Sequence, residues 1–216
     1  MAQLRRSTRI AEVDVLTPPS KKPKYNESDA SDVEEKELPK QEQSDEDEPA
    51  EIEIGDEIPD ITLVDHQGEE VSLREAASNS KYLVLFAYPR ASTAGCTRQA
   101  CGFLDNYDKF KALGAQVIGF SADSVKAQAS FVTKQKLRYS LLSDPKKVLV
   151  AMLGARKSNL GIKRSHWIFE NGKLKVKRIQ ISPEVSITAS LKEVQALIDE
   201  PAEEDSVKEE SVKESV

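Results

Sequence analysis

Among its 216 residues the chain has two cysteines, two histidines and one tryptophan. Two cysteines in a chain this long exclude the disulfide-stapled scaffold of small secreted domains. A structural zinc site wants more Cys or His ligands than remain, since only His66 and His166 stand beside the cysteines. No run approaches the roughly 20 apolar residues of a membrane span, and the N-terminus lacks the hydrophobic core of a secretion signal. These absences predict a soluble, intracellular protein with no membrane contact. In a reducing compartment a close pair of cysteines reads as chemistry rather than as a structural bridge.

The net charge of −6 is unevenly spread. Residues 1–24 carry six Arg/Lys against two Asp/Glu, residues 25–50 two against eleven, and residues 201–216 two against six. The stretch between the tails is left with a net +3, so the acidity belongs to the tails. Residues 1–50 have few large apolar side chains and cannot bury enough surface to offset ordering entropy, which predicts disorder. Within them, Arg5-Arg6-Ser7-Thr8-Arg9 and Lys21-Lys22-Pro23-Lys24 form two basic clusters that read as a nuclear address, with an import receptor as the implied partner. Direct nucleic-acid binding is not expected, because the basic segment is short and an acidic run follows at once. Ser31 and Ser44 precede acidic clusters and are candidate phosphorylation sites. Residues 201–216 repeat a short charged pentad from Ser206 and Ser211 and are expected to be a disordered tail.

Residues 51–200 alternate strand and helix signals. Apolar runs at Ile61–Val64, Tyr82–Tyr88, Gln116–Ser121, Leu141–Ser143 and Ser165–Phe169 predict strands, with Lys173–Ile179 as the hairpin partner of the last. Asp65-His66-Gln67-Gly68 signals a hairpin, with His66 a turn residue rather than a ligand. Helices are expected at Arg74–Ala77, Cys96–Leu113, Val125–Lys136, from Asp144-Pro145 to Leu153, and Ser186–Asp199. The last is expected to turn Val194, Leu197 and Ile198 inward. The alternation is an α/β pattern that fits a thioredoxin-like mixed sheet with helices on both sides.

Both cysteines fall in one stretch, Pro89-Arg90-Ala91-Ser92-Thr93-Ala94-Gly95-Cys96-Thr97-Arg98-Gln99-Ala100-Cys101-Gly102. Pro89 ends the preceding strand because it has no N–H for the ladder. Ser92 and Thr93 are residue types able to cap a helix, which would put Cys96 at a helix N-terminus, where free N–H groups and the dipole stabilise a thiolate. The thiolate is the nucleophile of cysteine chemistry, and Arg90 and Arg98 stand close in sequence. Cys101 is five residues on: about 8–9 Å between Cα atoms in an intact helix, against a limit of about 7 Å for a disulfide. The pair therefore suggests a cycle, helical when reduced and locally unravelled when oxidised. Burial of both cysteines as small hydrophobes, or half of a zinc site, are the competing readings.

The pattern Pro89-x-x-x-Thr93-x-x-Cys96, with a second cysteine at Cys101, resembles the active-site loop of the PrxQ, or bacterioferritin comigratory protein, branch of the peroxiredoxins. The resemblance spans residues 51 to about 198 and is strongest to the fungal nuclear thiol peroxidases. It implies that Cys96 attacks a hydroperoxide and that its sulfenic acid condenses with Cys101. It further implies that Thr93 hydrogen-bonds the peroxide, that Pro89 shields the pocket, and that Arg164 stabilises the sulfur; Arg90 is the runner-up for that last role. Thr93 and Pro89 could also act as a plain helix cap and a strand terminator. His166 and Trp167 are expected to pack. Hydrogen peroxide and alkyl hydroperoxides are the implied substrates and thioredoxin the implied reductant. A monomer without organic cofactor or metal is the implied working unit, in the nucleus with the cytoplasm as a second location. The branch carries Pro where this chain has Ala94, which loosens the loop without removing a reacting group. A non-enzymatic redox switch and a chromatin-associated interaction protein are the rival functions. Deleting residues 1–50 separates them: peroxide turnover should survive the truncation, whereas an interaction carried by the tail should be lost in a binding assay.

Overall fold

A computed structural model describes residues 50–158 and 161–199. The basic clusters, the acidic run, the candidate phosphorylation sites and the C-terminal tail lie outside these residues.

Thirteen elements follow one another in the described residues: β1 Thr62–Asp65, β2 Glu70–Ser72, α1 Leu73–Ser78, β3 Tyr82–Ala87, α2 Ala94–Asp105, α3 Tyr107–Ala112, β4 Ala115–Ser121, α4 Val125–Gln135, β5 Leu141–Ser143, α5 Val148–Met152, β6 Ser165–Glu170, β7 Lys173–Arg178 and α6 Pro183–Asp199. The strands form one sheet in the order β2-β1-β5-β4-β3-β6-β7. β3, β4 and β5 run parallel, and the flanking strands are antiparallel. No helix of the described residues is long and apolar enough to cross a membrane.

β3 is buried at every position, and its alternate residues feed two cores. Leu83, Leu85 and Ala87 pack on one face with α1 and α5 residues such as Leu73 and Leu149. Tyr82, Val84, Phe86 and Tyr88 pack on the other with Cys96, Ala100 and Phe103 of α2, Phe110 of α3, Phe131 of α4 and Val194 of α6. A strand covered on both faces needs apolar residues throughout, and this run has them.

One row across the parallel strands sets the height of α2. Phe86 stands opposite Gly119, and Gly119 opposite Leu141. A Cβ on Gly119 would fall 2.6 Å from both Leu141 Cδ2 and Phe86 Cζ. The absent side chain leaves room for the Phe86 ring, which stacks on Phe103 with centroids 4.3 Å apart.

Local chemistry sets several boundaries. Asp65 Oδ1 accepts from Gln67 and Glu69 N–H and closes the first hairpin, while His66 Nδ1 accepts from Leu141 N–H at 3.4 Å. Ser124 Oγ caps α4 by accepting from Ala127 N–H. Asp144 accepts from Val148 and Val150 N–H and caps α5. The helix expected over Cys96–Leu113 is two helices, because Asn106 breaks it. Its amide Nδ2 donates to the Gly102 carbonyl, a local bond that competes with helical continuation. α6 begins at Pro183, three residues before the expected Ser186; Pro suits a first helical position, where its missing N–H costs nothing. Val194 of α6 is fully buried and Leu197 is partly buried, but Ile198 is 38% exposed, so it does not pack inward as expected. Leu191, Val194 and Leu197 form the inward stripe, and Ile198 falls beside it.

Gly119→Ala should lower stability by about 1–3 kcal/mol through overpacking. The check is a lower urea midpoint with an unchanged slope.

Candidate active site

The register of β6 on β3 brings together two segments far apart in sequence. Ala87 at the end of β3 pairs with Ser165 at the start of antiparallel β6. Arg164, just before Ser165, therefore emerges beside the loop that leads from β3 into α2. Its backbone carbonyl accepts from Ile181 N–H at 2.9 Å, which fixes the segment against the approach to α6.

Cys96 occupies the first turn of α2 and is 1% exposed. Arg164 Nη2 donates to its Sγ at 3.4 Å, and Arg164 Nη1 donates to Gln99 Oε1. A Cβ on Gly95 would lie 3.2 Å from Arg164 Nη2 and 3.8 Å from Pro183 Cγ. Glycine at that position gives the guanidinium its path to the sulfur. Arg90 is exposed and Arg98 pairs with Glu184 of α6 at 3.1 Å, so among the arginines it is Arg164 that donates to Cys96.

Thr93 is the N-cap residue of α2, but its hydroxyl makes no cap bond to the helix. The hydroxyl donates instead to the Arg90 carbonyl at 3.0 Å, and the Thr93 carbonyl accepts from Thr97 N–H at 2.8 Å. The first-turn N–H groups thus have no side-chain acceptor from Thr93, and the positive end of the helix faces the loop. Pro89, Ser92, Thr93 and Ala94 are exposed along this rim. Ser92 holds the left-handed backbone conformation, φ 61°, which is uncommon outside glycine.

Below the rim lies a buried polar network. Asp123 Oδ2 accepts from Ala91 N–H at 2.6 Å and from the Ser121 hydroxyl at 2.8 Å, tying the loop to the end of β4. The Tyr88 hydroxyl donates to Gln128 Oε1, and Gln128 Nε2 donates to Ser121 Oγ and the Leu142 carbonyl. Burial pushes the Tyr88 phenol well above its ordinary range, so it stays a neutral donor.

Cys101 lies on the same helix, half-buried, with Sγ 3.5 Å from Gln135 Oε1. Burial, and then the charge of Asp105, push its thiol up. Both cysteines are free. The helix between them is anchored by the Tyr139 hydroxyl, which donates to the Ala100 carbonyl at 2.7 Å. It also presses Gly102 against Ile187 of α6, where a Cβ would meet Ile187 Cδ1 at 2.1 Å.

The structure thus brings Cys96 and Arg164 into contact, keeps Thr93 and Pro89 on the rim above, and holds Cys101 apart along the helix. His166 is buried with Nε2 2.8 Å from Glu193 Oε2, and Trp167 is buried against Phe120 on the opposite face, away from the sulfur. Sequence reasoning missed Gln99, Asp123 and Gln128. Of the three only Gln99 left a signal, as the polar residue on an apolar stripe: Cys96, Gln99, Ala100 and Phe103 form one buried face of α2 at helical spacing. Among the described residues no group of three or more His, Cys, Asp or Glu could hold a metal.

Comparison with known proteins assigns the class first: the chain resembles thiol-dependent peroxidases built on a thioredoxin-like sheet. Mycobacterium tuberculosis peroxidoxin BcpB superposes with a TM-score of 0.63 at 29% identity, covering 67% of this chain and 97% of that one. The Xanthomonas campestris bacterioferritin comigratory protein, described with its alkyl peroxide reduction activity, gives 0.62 at 28% identity, covering 69% and 99%. Peroxiredoxin bcp1 of Schizosaccharomyces pombe is 55% identical over 139 residues, 63% of this chain and 71% of the relative. The chloroplastic peroxiredoxin Q of Sedum lineare is 36% identical over 152 residues, 68% of this chain and 81% of the relative. The model of the AhpC/TSA family matches residues 54–177, and the chain belongs to that family as a peroxiredoxin.

The raised Cys101 thiol has a measurable consequence. A thiol pushed up is less ionised at neutral pH, so in Cys96→Ser its alkylation by iodoacetamide should have a midpoint above the ordinary value near 8.5. Unfolding the variant in urea should return the midpoint to that value.

Proposed function

We propose that the protein reduces hydrogen peroxide and alkyl hydroperoxides with Cys96 as nucleophile and Cys101 as resolving thiol. The observation that carries this reading is the donation of Arg164 Nη2 to the buried Cys96 Sγ at a helix N-terminus. Both the guanidinium and the helix terminus favour negative charge on the sulfur. The Cys96 thiolate attacks the terminal peroxide oxygen, the O–O bond breaks, and the alkoxide takes a proton and leaves as alcohol, or as water from hydrogen peroxide. Cys96 is left as sulfenic acid. Arg164 also faces the charge that develops on the departing oxygen. Thr93 would orient the peroxide through its hydroxyl, which donates to the Arg90 carbonyl and whose lone pairs remain to accept. Pro89 would shield the pocket from the rim.

Cys101 then attacks the Cys96 sulfur, the S–O bond breaks, and the hydroxide leaves with the Cys101 proton as water. Five residues of intact helix keep the sulfurs too far apart for this bond, so the first turns of α2 unwind to form it. A dithiol reductant, thioredoxin by the family resemblance, supplies two electrons by exchange and returns both thiols. Both sulfurs come from one chain, which supports a monomeric working unit. The basic clusters at Arg5–Arg9 and Lys21–Lys24 support nuclear import as the location of this activity, with the cytoplasm as the second.

Thioredoxin-coupled turnover of hydrogen peroxide and of an alkyl hydroperoxide tests the assignment. Cys96→Ser should abolish turnover; Cys101→Ser should accumulate sulfenate without efficient recycling; Arg164→Met should slow the peroxide step about 10²-fold. Turnover by Cys96→Ser would overturn the nucleophile assignment. A wild type that forms the disulfide but never turns over would make the protein a redox switch.

A further inference from the structure

The two segments that meet at Cys96 carry charge of one sign. Residues 76–104 hold three Lys/Arg and residues 145–169 hold six, and neither stretch contains an Asp or Glu. The sheet gathers them at one end. β3, β4 and β5 are parallel, so the loops that follow them open at the same edge, and antiparallel β6 begins there. The loops are tied to one another. Ala91 N–H donates to Asp123 Oδ2, Ser143 Oγ donates to the Asp123 carbonyl, and Lys163 N–H donates to the Ala155 carbonyl on the way to Arg164.

The acids that reach this end are turned inward or already matched. Asp123 accepts from Ala91 N–H and the Ser121 hydroxyl, and Asp144 from Val148 and Val150 N–H. Glu184 pairs with Arg98, and Glu51 and Glu53 pair with Lys177. Arg90, Lys126, Lys146 and Lys157 are exposed instead, and none has an ion-pair partner among the described residues. They stand on four different loops or helix starts, so the positive field surrounds the site rather than converging on one pocket.

We propose that this cationic rim is the docking surface for the dithiol protein that reopens the Cys96–Cys101 disulfide, and that it selects a reductant with an acidic face around its reactive cysteines. The proposal rests on the reading of the chain as a peroxidase recycled by a dithiol. A reductant thiolate attacks one sulfur of that disulfide, the S–S bond breaks, and a mixed disulfide forms. The reductant's second thiol then displaces the chain's cysteine. Two electrons and two protons pass to Cys96 and Cys101, and the reductant leaves as its own disulfide. A protein must therefore cover this end of the sheet. Hydrogen peroxide and simple alkyl hydroperoxides are neutral and gain little from a field spread over several loops. An acidic protein surface gains both orientation and encounter rate from it. A second copy of this chain would present the same sign, so like charge opposes two copies meeting through this end.

The test follows turnover of hydrogen peroxide by the full chain with two reductants: a thioredoxin carrying acidic residues around its cysteine pair, and the small neutral dithiol dithiothreitol. Lys126→Glu, Lys146→Glu and Lys157→Glu together should raise the KM for thioredoxin about 10-fold at low salt. Turnover with dithiothreitol and single-turnover sulfenate formation should stay unchanged. The wild-type KM for thioredoxin should rise with ionic strength. A thioredoxin with those acids changed to Lys should bind the triple variant better than the wild type. Lys146→Glu alone and Lys157→Glu alone serve if the triple variant does not fold, with smaller shifts in the same direction. A KM unmoved by charge reversal, or unmoved or lowered by salt, would overturn the proposal, as would an equal loss with dithiothreitol. Duplex DNA bound by the wild type but not by the triple variant, with the thioredoxin KM unmoved, would overturn it in favour of a nucleic-acid surface. If neither reductant supports turnover by the wild type, it is the peroxidase reading that fails instead.

Discussion

The antiparallel register of β6 against β3 is the constraint on which the site depends. Ala87 opposite Ser165 brings residue 164 level with the first turn of α2, although 68 positions separate Arg164 from Cys96. A slip of one residue would exchange the two faces of β6 and move the arginine off the site. The slip is opposed by burial: Ser165 to Phe169 are all buried, with Ile168 in the core that holds Cys96 and Trp167 and Phe169 in the other. The packing that stabilises the sheet therefore also sets the geometry of the thiol.

α2 is held by contacts of several kinds. Phe103 stacks on Phe86, Gly102 sits against Ile187, Tyr139 bonds the Ala100 carbonyl, and Gln99 bonds Ser186. A polar contact costs most when one partner is left buried and unpaired. Unwinding the first turns would strand Tyr139 and Ser186, so under the proposed cycle the helical form is favoured whenever no disulfide holds the cysteines together. The raised Cys101 thiol agrees with this division, since it stays protonated and half-buried until the helix opens. Asn106 sets the far limit. By ending α2 there, it leaves Phe110 on the short α3, and opening α2 need not pull that ring from the core.

The strands and most helices were legible because their signals are local. The continuous apolar run of β3, the Asp65-His66-Gln67-Gly68 hairpin and the Ser124 cap announce themselves within a few residues. Cys96 and Cys101 were legible for the same reason, and Arg164 only through a resemblance. What stayed hidden depends on distant partners. Nothing beside Asn106 in sequence says that its amide will take the Gly102 carbonyl. Ile198 has the composition of an inward residue, yet its angle on α6 turns it to solvent. Gln99 and Asp123 look like ordinary polar residues until the sheet register gives them Arg164 and the Ala91 N–H. Gln99 alone left a trace, as the polar member of an apolar stripe.

Ala94 can now be weighed against this background. It is the first residue of α2 after the Thr93 cap, the position where proline is at home because the N–H has no helical acceptor and φ is already near −65°. Proline there would remove freedom from the unwound chain and so favour the helix by about 0.4–1 kcal/mol. Alanine forgoes that bias. The loop does not lose its anchors, since Asp123 holds Ala91 from below and Thr93 bonds Arg90 and Thr97. The substitution therefore leaves the geometry at Cys96 in place and shifts the balance between helical and unwound α2 slightly toward unwinding. Under the proposed cycle that shift favours the step in which Cys101 reaches Cys96, and it acts against the longest residence of Arg164 on the sulfur.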